Sequence, residues 1–381
     1  MIEDFRRIYV DRHRYIEDWK KRNPDRKILG YMCTYMPEEI LYAADVLPIR
    51  IMGSHEPQNV TEPHILGMFC PYCRDVLAQG LLGRYDYLDA IGVTHTCQHI
   101  FQSFESWVLH KKVKDFFVPM PSVLQSPRAL PYLAGQLKVF KDQVEEWTGR
   151  KITDDDLRRG MEVVDETRRL MREVYETRKA DDPPISGLES MYMVVASQMS
   201  DKREFNKMLE ETLKDELPGR KAKEDPGIRL MMIGSENDDV EYIKMVENLS
   251  ASIVVDDHCT GSRYFWNTTE GDGDPLTVIA ERYIKRPRCP IKDLPARSRV
   301  PHLIDMAKNW NVAGIINIQQ KFCDPHELDK VAIAKALFEA GFPSLYLEFD
   351  VTVPVGPFRI RTEAFLETLG SEDLFGDEEL F

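Results

Sequence analysis

The chain has 381 residues, 43% of them apolar and 30% charged, with 64 acidic and 50 basic side chains giving a formal net charge of −14. That length asks for more than one core, and the acidic field repels nucleic acid and anionic membrane, so neither is an expected partner. No signal-peptide core and no bilayer-spanning apolar run is present, which predicts a cytoplasmic protein whose seven cysteines serve metal or redox chemistry more readily than disulfides.

The first 22 residues carry Ile8, Ile16 and Trp19 near one helical face, and "NPDRK" ends that helix. "KILGYMC" reads as a buried strand and "MPEEILYAADV" as a helix with acidic residues complementing its dipole. "LPIRIMG", "YLDAIGVTH" and "DFFVPMP" are strands, alternating with helices in "PYCRDVLAQGLLG" and "QHIFQSFESWVLHKK". This alternation predicts a parallel sheet covered by helices. From Leu130 to Glu216 every segment has helical period, and Thr153 in "TDDD" is placed to cap a helix. "DELPGRKAKEDPG" reads as a linker. A second alternation follows, with strands in "IRLMMIGS", "ASIVVDDHC", "NVAGIINIQQKFC" and "PSLYLEFD" and helices in "DDVEYIKMVENL" and "PHELDKVAIAKALFEAG". The predicted architecture is α/β, with two Rossmann- or flavodoxin-like parallel-sheet domains joined by a helical segment. The N-terminal helix and first domain take residues 1–129, the helical segment and linker 130–225, and the second domain 226–381.

Four cysteines, Cys33, Cys97, Cys259 and Cys323, fall just past the carboxyl ends of predicted strands. In open parallel sheets ligands bind at that edge. Cys70 and Cys73 stand where a loop enters a helix, whose N-terminus favours thiolates, the form that iron–sulfur clusters and zinc require. A cysteine at a strand end can equally be a small buried hydrophobe. A single C-x-x-C serves zinc sites and thiol redox pairs as well as clusters, and neither a second C-x-x-C nor a bacterial ferredoxin run is present. Any metal must therefore draw ligands from distant segments. The chain also lacks both the phosphate-cradling G-x-x-x-x-G-K motif and a dinucleotide G-x-G-x-x-G after a strand, so ATP is expected to be hydrolysed elsewhere.

"MPEEILYAADVLPIRIMGS", "FCPYCRD", "YDYLDAIGVTHTCQH", "VVDDHCTGSRYF" and "VAGIINIQQKFCDP" resemble, in order, the 2-hydroxyacyl-CoA dehydratase / benzoyl-CoA reductase family. With "GMFCPYCRD" followed by "LAQGLLGRYDYLD", the chain looks most like the catalytic subunits of ATP-dependent (class I) benzoyl-CoA reductases. The resemblance implies a 4Fe-4S cluster held between two α/β domains by Cys70, Cys97 and Cys323, with one iron left open. It also implies a related second catalytic subunit, a separate ATP-hydrolysing iron–sulfur activator supplied by ferredoxin, and an acyl-CoA substrate.

Ring reduction needs protons, and His95 and His99 flank Cys97. At a helix start the dipole would ease proton release from His99, the candidate general acid; alternatively either imidazole only hydrogen-bonds its surroundings. Arg263 is the candidate substrate-binding residue, for a carbonyl or phosphate, or else the partner in an internal salt bridge. Cys73 and Cys259 are expected near the cleft without being obligate ligands, and Cys33 as a structural thiol. Cys289 lies in a loop with Arg286, Arg288 and Arg297, which could meet CoA phosphates or simply be solvated. The expected reaction is dearomatisation of an aromatic acyl-CoA to a cyclic diene. One rival is a dehydratase subunit that eliminates water through a ketyl radical. Another is a non-catalytic subunit with a closed structural metal site.

Overall fold

The computed structural model describes residues 1–57, 59–294 and 296–370. The end of the predicted second domain, 371–381, lies outside the described residues. Strands β1 (Ile28–Tyr31), β2 (Leu47–Arg50), β3 (Ala90–Thr94) and β4 (Lys114–Val118) form a parallel sheet in the order β2-β1-β3-β4. Strands β5 (Ile228–Gly234), β6 (Ala251–Asp257), β7 (Gly314–Gln320) and β8 (Ser344–Phe349) repeat that arrangement as β6-β5-β7-β8. The two α/β units are thus the flavodoxin-like kind expected from the sequence. In this strand order the chain reverses direction across the sheet between β1 and β3, and again between β5 and β7, which opens a crevice at the carboxyl ends of those strands. The central strands are buried on both faces, as their continuous apolar character requires.

The middle of the chain is helical: α6 (Ala129–Thr148), α7 (Asp154–Thr177), α8 (Gly187–Met199) and α9 (Lys202–Glu211). Thr153 caps α7 as expected, in a reciprocal capping box with Asp156. The helix α3 (Glu38–Ala43), between β1 and β2, lies directly on α7. A Cβ at Gly160 of α7 would sit 2.1 Å from the carbonyl oxygen of Glu39, so only glycine lets these backbones meet. At the end of β5, Gly234 has φ 142°, and a Cβ there would lie 1.8 Å from the Ile318 carbonyl of β7. Glycine is required at this switch point for the same reason, with the added demand of a backbone that side chains disfavour.

Three local expectations change. The N-terminal helix is two, α1 (Ile2–Val10) and α2 (Arg12–Arg22), broken at Asp11 (φ −112°, ψ 36°). The helix after Cys323 is likewise two, α14 (Asp324–Glu327) and α15 (Lys330–Glu339). A helix not anticipated, α11 (Pro275–Lys285), leaves the second unit's sequence and packs on α6 and α7. It puts residues from the second half of the chain against the first, so sequence order and spatial grouping differ there.

Buried ion pairs and hydrogen bonds tie the two units to each other and to the helical middle. Arg50, at the end of β2, meets Glu236, just past β5, at 2.5 Å and Gln198 of α8 at 2.8 Å. Glu38 of α3 accepts from Lys202 of α9 at 2.8 Å, from Tyr31 at 3.1 Å and from Tyr264 at 2.6 Å.

A further contact between the units titrates. His55 Nε2 lies 2.9 Å from Asp238 Oδ1. Burial opposes the His55 charge, but Asp238 outweighs it and raises the imidazole to about 9, while the same pairing holds Asp238 down to about 2. Because the folded value of His55 lies above its ordinary 6.5 and that of Asp238 below its ordinary 3.8, this pair stabilises fully between pH ~4 and ~6; its contribution is lost between pH ~6.5 and ~9, and in acid as Asp238 protonates. The contribution is roughly 3 kcal/mol, counted once for the two partners. His55→Gln is therefore expected to lower unfolding free energy by about that amount at pH 6 and by almost nothing at pH 9.5, measured by urea denaturation at both. An equal loss at the two values would refute the ion pair.

Candidate functional site

The carboxyl ends of both sheets face one cleft, which holds about 680 Å³ of unfilled space including its mouth. All seven cysteines of the chain line it. They reach it by two recurrent routes. Cys33 and Cys259 follow β1 and β6 directly. Cys70, Cys97, Cys289 and Cys323 each stand at the residue just before a helix, with no side-chain capping bond: α4 (Pro71–Leu81), α5 (Gln98–Lys111), α12 (Pro290–Asp293) and α14, respectively. Pro71 and Pro290 occupy the first helical position after their cysteines, where a missing N–H costs nothing. Cys73 sits one turn into α4, its carbonyl accepting from Ser103 Oγ at 2.9 Å. Cys33 Sγ lies 3.3 Å from Thr96 Oγ1.

The proposed ligands Cys70, Cys97 and Cys323 therefore come together from segments more than 220 residues apart in sequence. Cys33 and Cys289 join them, and neither Cys33 as a structural thiol nor Cys289 in an open basic loop anticipates that. Arg288 in that loop turns to Asp293 and Ser298. Arg286 is buried in the cleft wall.

The thiols share charge. Hydrogen bonds from Cys323 and Cys73 hold the Cys70 thiol well below its usual range. Their hydrogen bonds to Cys70, together with burial, push Cys73 and Cys323 well above theirs. Burial raises Cys97 as well, and raises Cys259 to about 12. The protein alone thus favours one thiolate among neighbouring thiols, and further ionisation requires cationic compensation, which a bound metal would supply. Among the described residues no three His, Cys, Asp or Glu side chains converge to hold a single ion. A polynuclear cluster does not require that convergence, because each thiolate binds a different iron. The donor set, its burial and its positions just before helices fit such a cluster.

The other anticipated residues have definite positions. His99 stands behind Cys70 and is absent from the cleft wall. Its Nδ1 accepts from the Cys70 N–H at 3.2 Å, its Nε2 lies 3.5 Å from Asp324 Oδ2, and its ring packs on Phe69. It therefore braces the Cys70 loop against the Cys323 loop. His95 packs among Phe101 and Phe117. Arg263 does line the cleft, but its guanidinium is engaged by Asp257 at 3.1 Å, by the Gly234 carbonyl and by His326 at 3.4 Å. His326, three residues after Cys323, is an imidazole in the cleft wall that sequence reasoning misses; burial keeps it neutral. Gln320 links the halves of the site, since its Oε1 accepts from the Tyr72 N–H at 2.5 Å and its Nε2 donates to the Glu236 carbonyl at 2.9 Å. The spacing in "QQKFCDPHE" could have signalled both, because the end of a strand and the first turn of the next helix share one rim.

Among the described residues no helix is long and apolar enough to cross a membrane. Over 370 residues, 97% of this chain and 98% of the relative, the sequence is 27% identical to the (R)-phenyllactyl-CoA dehydratase beta subunit of Clostridium sporogenes. It is 26% identical to one of the subunits of the benzoyl-CoA reductase of Thauera aromatica, over 92% of this chain and 93% of the relative. It is 24% identical to the beta subunit of the (R)-2-hydroxyglutaryl-CoA dehydratase of Acidaminococcus fermentans, over 97% and 99%. The family model of the 2-hydroxyglutaryl-CoA dehydratase D-component matches residues 33–369, from the cysteine after β1 into the last helix, and the chain belongs to that family.

Proposed function

We propose that this chain is the iron–sulfur catalytic subunit of a benzoyl-CoA reductase, acting with a related second subunit and fed by a ferredoxin-supplied, ATP-hydrolysing activator. The observation that carries the reading is the convergence of seven cysteines on one largely buried cleft at the switch points of two sheets. Cys70, Cys97 and Cys323 would hold a 4Fe-4S cluster there, which supplies electrons one at a time at low potential. Taking up two electrons and two protons turns the aromatic ring into a cyclic diene.

The chain's own residues supply the setting. Met32, Tyr35, Tyr72 and Ile100 give the cleft apolar walls, which suit a ring and exclude water. Arg50 with Glu236, and Arg263 with Asp257, are already paired, so these lining charges do not demand a polar substrate chain. His99 serves as a positioning residue for Cys70.

The second reading, a 2-hydroxyacyl-CoA dehydratase subunit, is favoured by the beta subunits of three dehydratases among the relatives. Anaerobic assay of the purified complex with benzoyl-CoA and with a 2-hydroxyacyl-CoA, each with the activator and ATP, separates the two. The proposal expects a diene product from benzoyl-CoA. Loss of water from the hydroxyacyl thioester with no ring reduction would replace it with the dehydratase reading.

A further inference from the structure

Among the described residues His326 is the one imidazole in the cleft wall, and it is 5% exposed. It stands in the short helix α14, its backbone N–H donating to the Cys323 carbonyl at 3.0 Å. Its Nε2 lies 3.4 Å from Arg263 Nη1. A guanidinium carries only donors, so Nε2 accepts and the ring proton sits on Nδ1. The arginine is held in this contact from its other side. Its Nη2 donates to the carbonyls of Gly234 and Asp257, and its Nε lies 3.1 Å from Asp257 Oδ1. Asp257 also pairs with Arg299 at 2.8 Å, and Arg299 with Asp329 at 3.0 Å. The Asp329 N–H donates to the His326 carbonyl at 3.2 Å, so the series of contacts closes on the turn where it began. Two carboxylates balance two guanidiniums, and the imidazole at the end is left neutral with a fixed tautomer.

The Nδ1 N–H is the free end of this series. Among the described residues it has no acceptor, yet packing does not seal it off as it seals the Nε2 atoms of His258 and His302. Arg50, Tyr72, Thr96 and Glu236 of the same wall all have partners within the chain. A fixed donor left without an acceptor at a cleft is a place for an acceptor from outside the fold. We propose that His326 donates a hydrogen bond through Nδ1 to the thioester carbonyl oxygen of the acyl-CoA. This rests on the acyl-CoA reading above. The imidazole keeps its proton. The bond strengthens as electron density entering the substrate collects on that oxygen. Arg263 and Asp257 act as positioning residues, holding the tautomer from behind the imidazole.

Dissociation constants of benzoyl-CoA and of its thioether analogue S-benzyl-CoA, which lacks the carbonyl, test this on the complete complex without ATP. The wild type is expected to bind the thioester about 3- to 10-fold more tightly than the thioether. His326→Leu is expected to abolish that preference while thioether affinity and iron content stay unchanged. His326→Asn, whose side-chain N–H stands where Nδ1 does, is expected to keep most of it. A wild type without the preference overturns the proposal with no recourse to variants. So does a preference that survives His326→Leu; a midpoint potential that moves instead would assign the N–H to the cluster. Equal loss in the two variants, or thioether affinity falling as far as that of the thioester, overturns it as well, by assigning the effect to the shape of the ring. If the wild type binds neither compound, the acyl-CoA reading falls first and this proposal falls with it.

Discussion

Cys70→Ala, Cys97→Ala and Cys323→Ala are each expected to bring the iron content of the purified complex from about four per chain towards zero, and to reduce ring reduction by at least roughly 100-fold. The three thiols stand just before separate helices and meet only through the fold, so none can be replaced by a neighbour on its own element. Cys33→Ala is expected to keep its iron, since Cys33 Sγ has a settled contact with Thr96. Cys73→Ala is the informative control. Its thiol hydrogen-bonds Cys70, and losing it removes a donor to the thiolate without removing a ligand. Iron and sulfide analysis under anaerobic conditions reads all five variants. Loss of iron from Cys73→Ala as complete as from Cys70→Ala would make the site a closed four-cysteine one, as in the structural-subunit reading.

The second large effect concerns the seam between the units. Glu38→Ala leaves the Lys202 ammonium, fully buried, with a backbone carbonyl as its remaining hydrogen-bond partner and deprives Tyr31 and Tyr264 of an acceptor. Removing one member of a buried pair costs about 3–5 kcal/mol. A fall in Tm of roughly 5 °C follows for a chain of this size. Replacing both partners, Glu38→Met with Lys202→Met, is expected to recover most of that loss, because the uncompensated charge is then gone. A double variant as unstable as Glu38→Ala would show that the tyrosine hydrogen bonds, and not the charge, dominate.

Much of this architecture is written locally. The β–α alternation and the helix-period middle segment predict both sheets, and the strand-end positions of Cys33, Cys97, Cys259 and Cys323 follow from it. Thr153 is legible as a cap because a capping box is complete within four residues. What is not legible depends on pairing across long separations. Arg50 finds Glu236 across 186 positions, and Glu38 finds Lys202 across 164. The basic residues around Cys289 read as a loop that meets CoA phosphates or is simply solvated, because local composition says nothing of burial; after α11, Arg286 and Lys292 are buried. The closeness of His99 to Cys97 in sequence suggests a shared site, yet α5 turns the imidazole towards Cys70 and Asp324. His326 is signalled only by its place in the first helical turn after the strand that ends at Gln320, since its local composition does not distinguish a cleft rim from a solvated turn.

The central claim, a cluster held jointly by the two α/β units, is tested most directly by anomalous diffraction at the iron edge from anaerobic crystals of the complex. The account predicts iron in the cleft, bound by Cys70, Cys97 and Cys323. Zinc in that position, or a cleft whose thiols bind no metal in a complex that still turns over, would contradict it.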